Sequence, residues 1–582
     1  MHRTQWIARI SRPGVRFLVM SISMAAVLAP SASLAQKKAP PNANNRKAQP
    51  AKSVAPPPPR SALLTHEAWQ NAPMTPLQTG EIDALVAKEL QADKIEPAQR
   101  TTDEQFVRRV TLDLTGKLPV PADVTEFVAD PDSQKRAKLI DKLLASDDYA
   151  HHWAHYWRDV IASRVSDRRG LGLARAFEEW LTSQFKQDQK WDKIVRAMIT
   201  AEGSCQYDDD GKNGALFFLA SHTGADAANE QAAETSRVFL GIQIQCAQCH
   251  DHPSDQWKRV QFHELAGYFA RIRERPLKGE MGRPSGVELI SMARGEHEMP
   301  SPQDPKKTLV TYPRFLDGKG PATNVDDKQR RQALANSIVD KNNYWFAGAY
   351  VNRIWGELMG QSFYQPVDDL GPHKEAVFAS VLTRLTGAFR GTGYDVKELF
   401  RAVMNSETYQ RQIRLGETSD QHLHFAAAYP TRLRADALWD SLVGVLGNLG
   451  PPRDPARPRP QGPFAMAPGL EGLFKLEFSF DPSLKPDEVE GSISQALLLM
   501  NNPLLNQRIQ ARGTNLLGRI LKSFPDDDAA LHRVYLRTLA RKPTDREMEK
   551  CRTYISKASS RTEAFEDILW ALVNSTEFQT KR

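Results

Sequence analysis

A stretch near the start of the folded part of this chain returns near its end. Val110-Thr-Leu-Asp-Leu-Thr-Gly-Lys-Leu-Pro119 aligns without a gap on Val534-Tyr-Leu-Arg-Thr-Leu-Ala-Arg-Lys-Pro543. Each copy is followed by an acid-bearing helix start, at Asp123 and Glu547. Each closes on an apolar helix, a serine and an aromatic ring: Leu144-Ala-Ser-Asp-Asp-Tyr149 and Val573-Asn-Ser-Thr-Glu-Phe578. Val403-Met-Asn-Ser-Glu-Thr-Tyr409 is a third copy of that closure. Such a repeat predicts a recurring helix pair, with a proline-defined turn and a serine cap opening the next segment. It constrains packing and carries no chemistry.

Helical periodicity fills most of the remaining chain. Ile82, Leu85, Val86 and Leu90 share a face, and further helices are expected over Phe106–Leu114, from Pro121, and over Leu139–Leu144, Phe177–Phe185 and Trp191–Ile199. Between Arg275 and Pro321 Gly, Pro and Lys become frequent, and Gly286–Met292 and Thr308–Phe315 read as short strands. Helices resume at Gln329, and a last helical block starts at Ile493. The expected fold is mainly α: two helical domains, 63–275 and 321–582, joined by a small β connector at 276–320. A Pro- and Gly-rich surface loop is expected at 450–472.

The first 35 residues read as a secretory signal peptide. Arg3, Arg9, Arg12 and Arg16 precede an apolar run from Phe17 to Leu28, and Ser33-Leu34-Ala35 makes a small-x-small cleavage site. Residues 36–62 read as a disordered linker rich in Pro and Lys, a candidate spacer for surface association. Export to the periplasm or cell surface is the expectation, and no later run is long enough to span a membrane. The formal charge of +7 belongs to this leader and linker. Four of the cations lie in residues 1–35 and six more in 36–60, leaving about −3 on the remainder. A nucleic-acid partner therefore has no charge support.

The motif with the most chemistry is Cys246-Ala-Gln-Cys249-His250-Asp251-His252-Pro253. C-x-x-C-H is the spacing of covalent haem c attachment: two thiols can form thioethers to one porphyrin edge, and the adjacent imidazole reaches the iron. Val238, Ile242, Cys246 and Cys249 recur at helical spacing, so a helix from about Ala227 is expected to run into the motif. Cys246, Cys249, His250 and His252 are also a candidate zinc set, and a structural role stays open. Cys205 and Cys551 stand alone, so no disulfide framework is implied. His222, His263, Met281 and Met299 are candidates for a second iron ligand, each with packing as the plainer reading.

Other candidates are weaker. His151, His152 and His155, interleaved with Trp153, Tyr156 and Trp157, read as aromatic packing. Asp208-Asp209-Asp210-Gly211 reads as a solvated turn. Asp368 and Asp369 are neighbours that point apart, so helix capping is the plainer role. Asn352 and Arg353, with Trp355, can present a guanidinium fork and a stacking ring to an anionic or sugar ligand. An ion pair between Arg353 and Asp368 or Asp369 is the alternative.

Val238-Phe-Leu-Gly-Ile-Gln-Ile-Gln-Cys-Ala-Gln-Cys-His-Asp-His-Pro253 and Trp257 resemble the core motif of a double domain of unknown function, abundant in Planctomycetes and named there as cytochrome-associated. Val351-Asn-Arg-Ile-Trp355, Pro366-Val-Asp-Asp-Leu-Gly371, Gly393-Tyr-Asp-Val-Lys397, Asn405-Ser-Glu-Thr-Tyr409, Met500-Asn-Asn-Pro503 and Leu536–Pro543 are similar to its second domain and tail. The resemblance spans Gln78–Phe578. It implies an exported, mostly helical protein without an established activity. Many members carry a separate N-terminal cytochrome-c-like domain, where this chain has its Pro-rich stretch. The expected function is a haem-bearing redox protein with a redox partner protein, within an oxidoreductase on a small or carbohydrate-derived substrate. The alternatives are a zinc-dependent enzyme and a non-enzymatic surface scaffold.

Overall fold

The computed structural model describes residues 60–165, 168–208, 211–304, 306–414, 425–449, 470–486, 488–513 and 515–581. These belong to the unit Ala55–Arg582. The leader (1–35), most of the linker (36–62), Asp209, Asp210 and most of the 450–472 loop lie outside them.

The described chain is mainly helical, with small antiparallel sheets. The strands are β1 (Ser61–Leu63), β2 (Gly203–Gln206), β3 (Ile272–Lys278), β4 (Pro284–Ser291), β5 (His297–Pro300), β6 (Thr308–Thr311), β7 (Glu375–Val377), β8 (Thr431–Arg432) and β9 (Thr580–Lys581). They pair as β1–β7, β2–β4–β3, β5–β6 and β8–β9. Ser61 and Ala62, inside the stretch expected to be linker, are thus strand. The expected β segment is present as β3 to β6, but its sheet recruits β2 from the helical region, where Cys205 faces Val287. Thr308–Phe315 is strand only as far as Thr311.

The repeat is visible in the geometry. The Asp103–Thr115 helix ends at Gly116 (φ +66°), and the Asp527–Leu539 helix ends at the aligned Ala540 (φ +56°), both left-handed. The next helices are Pro121–Ala129 and Asp545–Lys557. The three closures are nearly superimposable in their hydrogen bonds. Ser146, Ser406 and Ser575 each accept from the backbone N–H three residues on, of Tyr149, Tyr409 and Phe578, at 3.2 Å. Each hydroxyl also donates back to a carbonyl three residues earlier, at 2.7, 2.6 and 2.6 Å. One local sequence therefore writes the same serine-closed corner three times, opening a helix after Ser146 and Ser575 and a turn after Ser406, and each of the two helix caps contributes about 1 kcal/mol.

Two large apolar cores follow. The first gathers buried residues from Leu64 to Ala426, the second from Leu433 to Phe578 together with Leu112. An aromatic stack holds the first core together across distant helices. Trp157, on the Asp147–Ala162 helix, lies 4.3 Å from Trp191 and 5.5 Å from Tyr350 (ring centroids), and Tyr350 lies 4.9 Å from Phe389. Each such pair contributes about 0.5–1.5 kcal/mol beyond its buried area. This is the packing expected for the aromatic residues interleaved with His151, His152 and His155. Val107, Val124 and Ala540 form a third, small cluster in which the two repeat copies touch.

Candidate functional site

The expected helix from Ala227 does not run into the cysteine motif. Its α-helical part is Ala227–Thr235, a π turn continues over Ser236–Leu240, and Gly241 stops it in the left-handed region at φ +65°. Space as well as conformation demands glycine there. A Cβ would meet Leu370 Cδ1 at 2.9 Å and Ala349 Cβ at 3.1 Å. Past Gly241 the chain forms a short 3-10 turn, Gln245–Gln248, with Cys249 as its cap. The spacing of Val238, Ile242, Cys246 and Cys249 therefore does not make one stripe: the first two are buried and the cysteines are exposed. Ile244 and Ala247 anchor the turn to the core instead. Positions three apart nearly eclipse in a 3-10 turn, so both cysteines lie along its outer edge. Both thiols are free.

His250 is exposed, and its Nδ1–H donates to the Asp251 carbonyl oxygen at 2.7 Å. That bond occupies Nδ1, and Nε2 has no hydrogen bond among the described residues. Asp251 accepts the Arg259 backbone N–H at 3.0 Å and pairs with Lys258 at 3.1 Å. These contacts, the backbone bond first, hold its carboxyl below the usual range. His252 donates its backbone N–H to the Trp257 carbonyl at 2.8 Å, and its Nδ1 accepts from the Ser254 N–H at 3.3 Å. The loop thus closes on itself over the buried Trp257. Cys246, Cys249, His250 and His252 are near in sequence but are not gathered. Among the described residues, no three His, Cys, Asp or Glu side chains converge as a metal-ion site.

Of the residues considered as a second iron ligand, His263 is tied to the motif in another way. Its Nε2–H donates to the Gln248 carbonyl at 3.0 Å, and its Nδ1 lies 2.8 Å from His297 Nε2, the two rings stacked. With one His263 nitrogen donating to a carbonyl, the other accepts, so His297 donates. Burial, then the His263 neighbour, pushes His297 down to about 4. The pair is therefore neutral at pH 7 and braces the motif from behind. His222 is buried, with Nδ1 3.2 Å from Glu230, Met299 is buried on β5, and Met281 is 85 % exposed.

Asn352, Arg353, Asp368 and Asp369 are divided by the fold. Asn352 is fully buried, accepting the Tyr364 N–H at 3.0 Å and donating to the Val367 carbonyl at 2.8 Å, so it moulds the loop carrying Asp368. Asp369 turns away to pair with Lys374 at 3.1 Å. Neither aspartate caps a helix; Asp368 is a buried ion-pair partner. It lies 3.3 Å from Arg237 and 3.7 Å from Arg353, and it accepts from Gln243 at 3.0 Å. Burial alone would raise its pKa, but Arg353 and Arg237 overcome it and lower it. Arg237 also pairs with Glu234 at 2.6 Å and donates to the Val160 carbonyl at 2.8 Å. It is the buried hub joining the segment before the cysteine motif to the loop at Asp368, and sequence reasoning passed over it. Trp355 is buried against Phe363 and Phe425, so it is no stacking platform for a ligand.

His155 is equally committed. Burial opposes its charge, but hydrogen bonds to Asp436 and Glu178 prevail and raise its pKa to about 9. His152, buried beside Arg434, is pushed well below the ordinary histidine range, by burial first and then by that cation.

Residues 81–274 match the family model PSCyt2, described as a protein of unknown function (DUF1549). Residues 330–471 match PSD1, likewise a protein of unknown function (DUF1553). The first match contains the cysteine turn and Arg237, the second Asn352, Arg353 and Asp368. No curated protein and no solved structure matches the chain. The chain thus carries two domains of unknown function in tandem, consistent with a double-domain family.

Proposed function

We propose that this is an exported redox protein that carries haem c on Cys246 and Cys249, with His250 as the axial ligand. The observation that carries the reading is the arrangement of these three residues. Two free thiols lie along the exposed edge of one turn, and the adjacent imidazole is tethered through Nδ1 to a backbone carbonyl. Such a tether orients an axial histidine and raises its basicity. The exposed edge leaves the thiols open to attachment after export, in the compartment that the Arg-rich leader and Ser33-Leu34-Ala35 imply. His263 holds the Gln248 carbonyl and keeps the turn in register with the core. Bound there, haem supplies a one-electron couple whose potential depends on the second axial position. The exposed face around Cys246 and Cys249 suits transfer to a redox partner protein.

The test is expression in an exporting host with haem-attachment machinery, alongside a known c-type cytochrome as control. The expected result is a haem mass that survives denaturation, with the corresponding visible absorption. It should disappear in the Cys246→Ala/Cys249→Ala double variant. His250→Ala should keep the mass and change the spectrum. A chain without haem mass, beside a fully loaded control, overturns the proposal.

A further inference from the structure

Where the chain passes from the first core to the second, residues 480–486 and Val489 border a cavity of about 70 Å³. Its lining includes Tyr156, Arg353, Glu357, Arg432, Arg434 and Lys485. Four cations therefore face one carboxylate, and that carboxylate is already engaged, accepting from Lys581 at 2.6 Å. Arg353 and Arg434 are backed by Asp368 and Asp436 at 3.7 and 3.0 Å, which accounts for their burial. The side-chain charges of Arg432 and Lys485 form no ion pair among the described residues, although Glu488 and Glu490 line the adjoining cavity with Arg432. Arg434 Nη1 is buried and has no hydrogen-bond partner among the described residues. Arg432, half-buried on β8, donates to the neutral Gln495 amide at 3.1 Å and has no acid within ion-pair distance among the described residues. The Lys485 backbone N–H donates to the Glu488 carboxylate at 3.1 Å, but its ammonium has no acid within ion-pair distance among the described residues.

A buried guanidinium N–H without an acceptor is costly because its desolvation goes uncompensated, so a fold that keeps one invites a ligand oxygen. A water position needs roughly 10–15 Å³, so this cavity takes several waters or one small group, and no sugar ring. Guanidinium forks match planar carboxylates and tetrahedral phosphates alike. We propose that this cavity binds a small oxyanion, held by Arg432, Arg434 and Lys485, with Arg353 and the Tyr156 ring closing its floor. The site stands apart from the haem reading, because neither motif cysteine lines it.

The test is thermal unfolding and calorimetric titration of the whole mature chain with inorganic phosphate. Malonate is the carboxylate arm, and sodium chloride at matched ionic strength is the control. Phosphate or malonate is expected to raise the melting temperature above the chloride control. The arm that binds tighter tells a tetrahedral from a carboxylate ligand. Arg432→Gln/Lys485→Gln leaves both backed arginines in place, so it should melt near the wild type without ligand and bind at least tenfold more weakly. Arg432→Lys, which keeps the charge and loses the fork, should fall between. No response to either anion beyond chloride overturns the proposal, as does equal binding by the double variant.

Discussion

The cysteine turn and the arginine cavity are opposite kinds of site. The turn is contiguous, exposed and closed by hydrogen bonds between residues a few positions apart. The cavity is assembled from the Asp147–Ala162 and Tyr344–Met359 helices, β8, residues 480–486 and Val489, and two of its cations, Arg353 and Arg434, are held by carboxylates from elsewhere. A contiguous site can be rebuilt or lost with little effect on the fold. A dispersed one is part of the fold's electrostatic framework, because its charges survive burial only in pairs. Arg237 joins the two regions: it sits just before the cysteine turn and bonds Asp368, which backs Arg353.

The largest test of that contrast is Arg237→Ala. It leaves Glu234 and Asp368 buried beside fewer cations, and breaking a buried pair costs about 3–5 kcal/mol. Urea unfolding should show that loss. A change under 1 kcal/mol would mean the hub is dispensable and the contrast overstated. Next is the pH response of the framework. His155 is protonated in the fold, with its pKa raised from 6.5 to about 9. Its stabilisation is fully present below pH 6.5 and is lost as pH rises through 9. The loss is on the order of 3 kcal/mol, and His155→Gln should flatten the slope of stability between those pH values.

The two repeat copies sharpen the comparison locally. Gly116→Ala would place a Cβ 2.4 Å from His152 Nδ1 at φ +66°, so a loss of about 2 kcal/mol or more is expected. Ala540→Gly, at the matching left-handed position, should gain about 0.5–1 kcal/mol. Equal and opposite effects would show that the clash with His152 contributes nothing. The smallest effect belongs to the exposed turn. Cys246→Ser/Cys249→Ser in protein made without haem should move unfolding by less than about 0.5 kcal/mol. A loss comparable to that of Arg237→Ala would erase the distinction between the two regions.

The legible part of the candidate site was its chemistry. Cys246, Cys249 and His250 stand out because covalent attachment needs those groups within five residues. Their surroundings were not legible: helical spacing extended a stripe through Gly241, and only contact with Ala349 and Leu370 shows why the helix must stop there. The sequence offers Arg353 two neighbouring aspartates as partners, and the fold selects Asp368 by turning Asp369 towards Lys374. Arg237, Arg434 and Lys485 carried no signal, since a lone cation in sequence does not reveal whether it will be buried.

By itself the sequence determined the helical class, the repeated helix pair, the serine corners and the position of the cysteine turn. All of these depend on interactions spanning a handful of residues: apolar period, caps, proline and glycine. Tertiary structure decided the rest. It drew buried residues between Leu64 and Ala426 into one core, recruited β2 to the connector's sheet and gathered three arginines and a lysine around one cavity. The physical reason is that burial and charge pairing depend on which surfaces meet, and these meet across separations that no local pattern encodes.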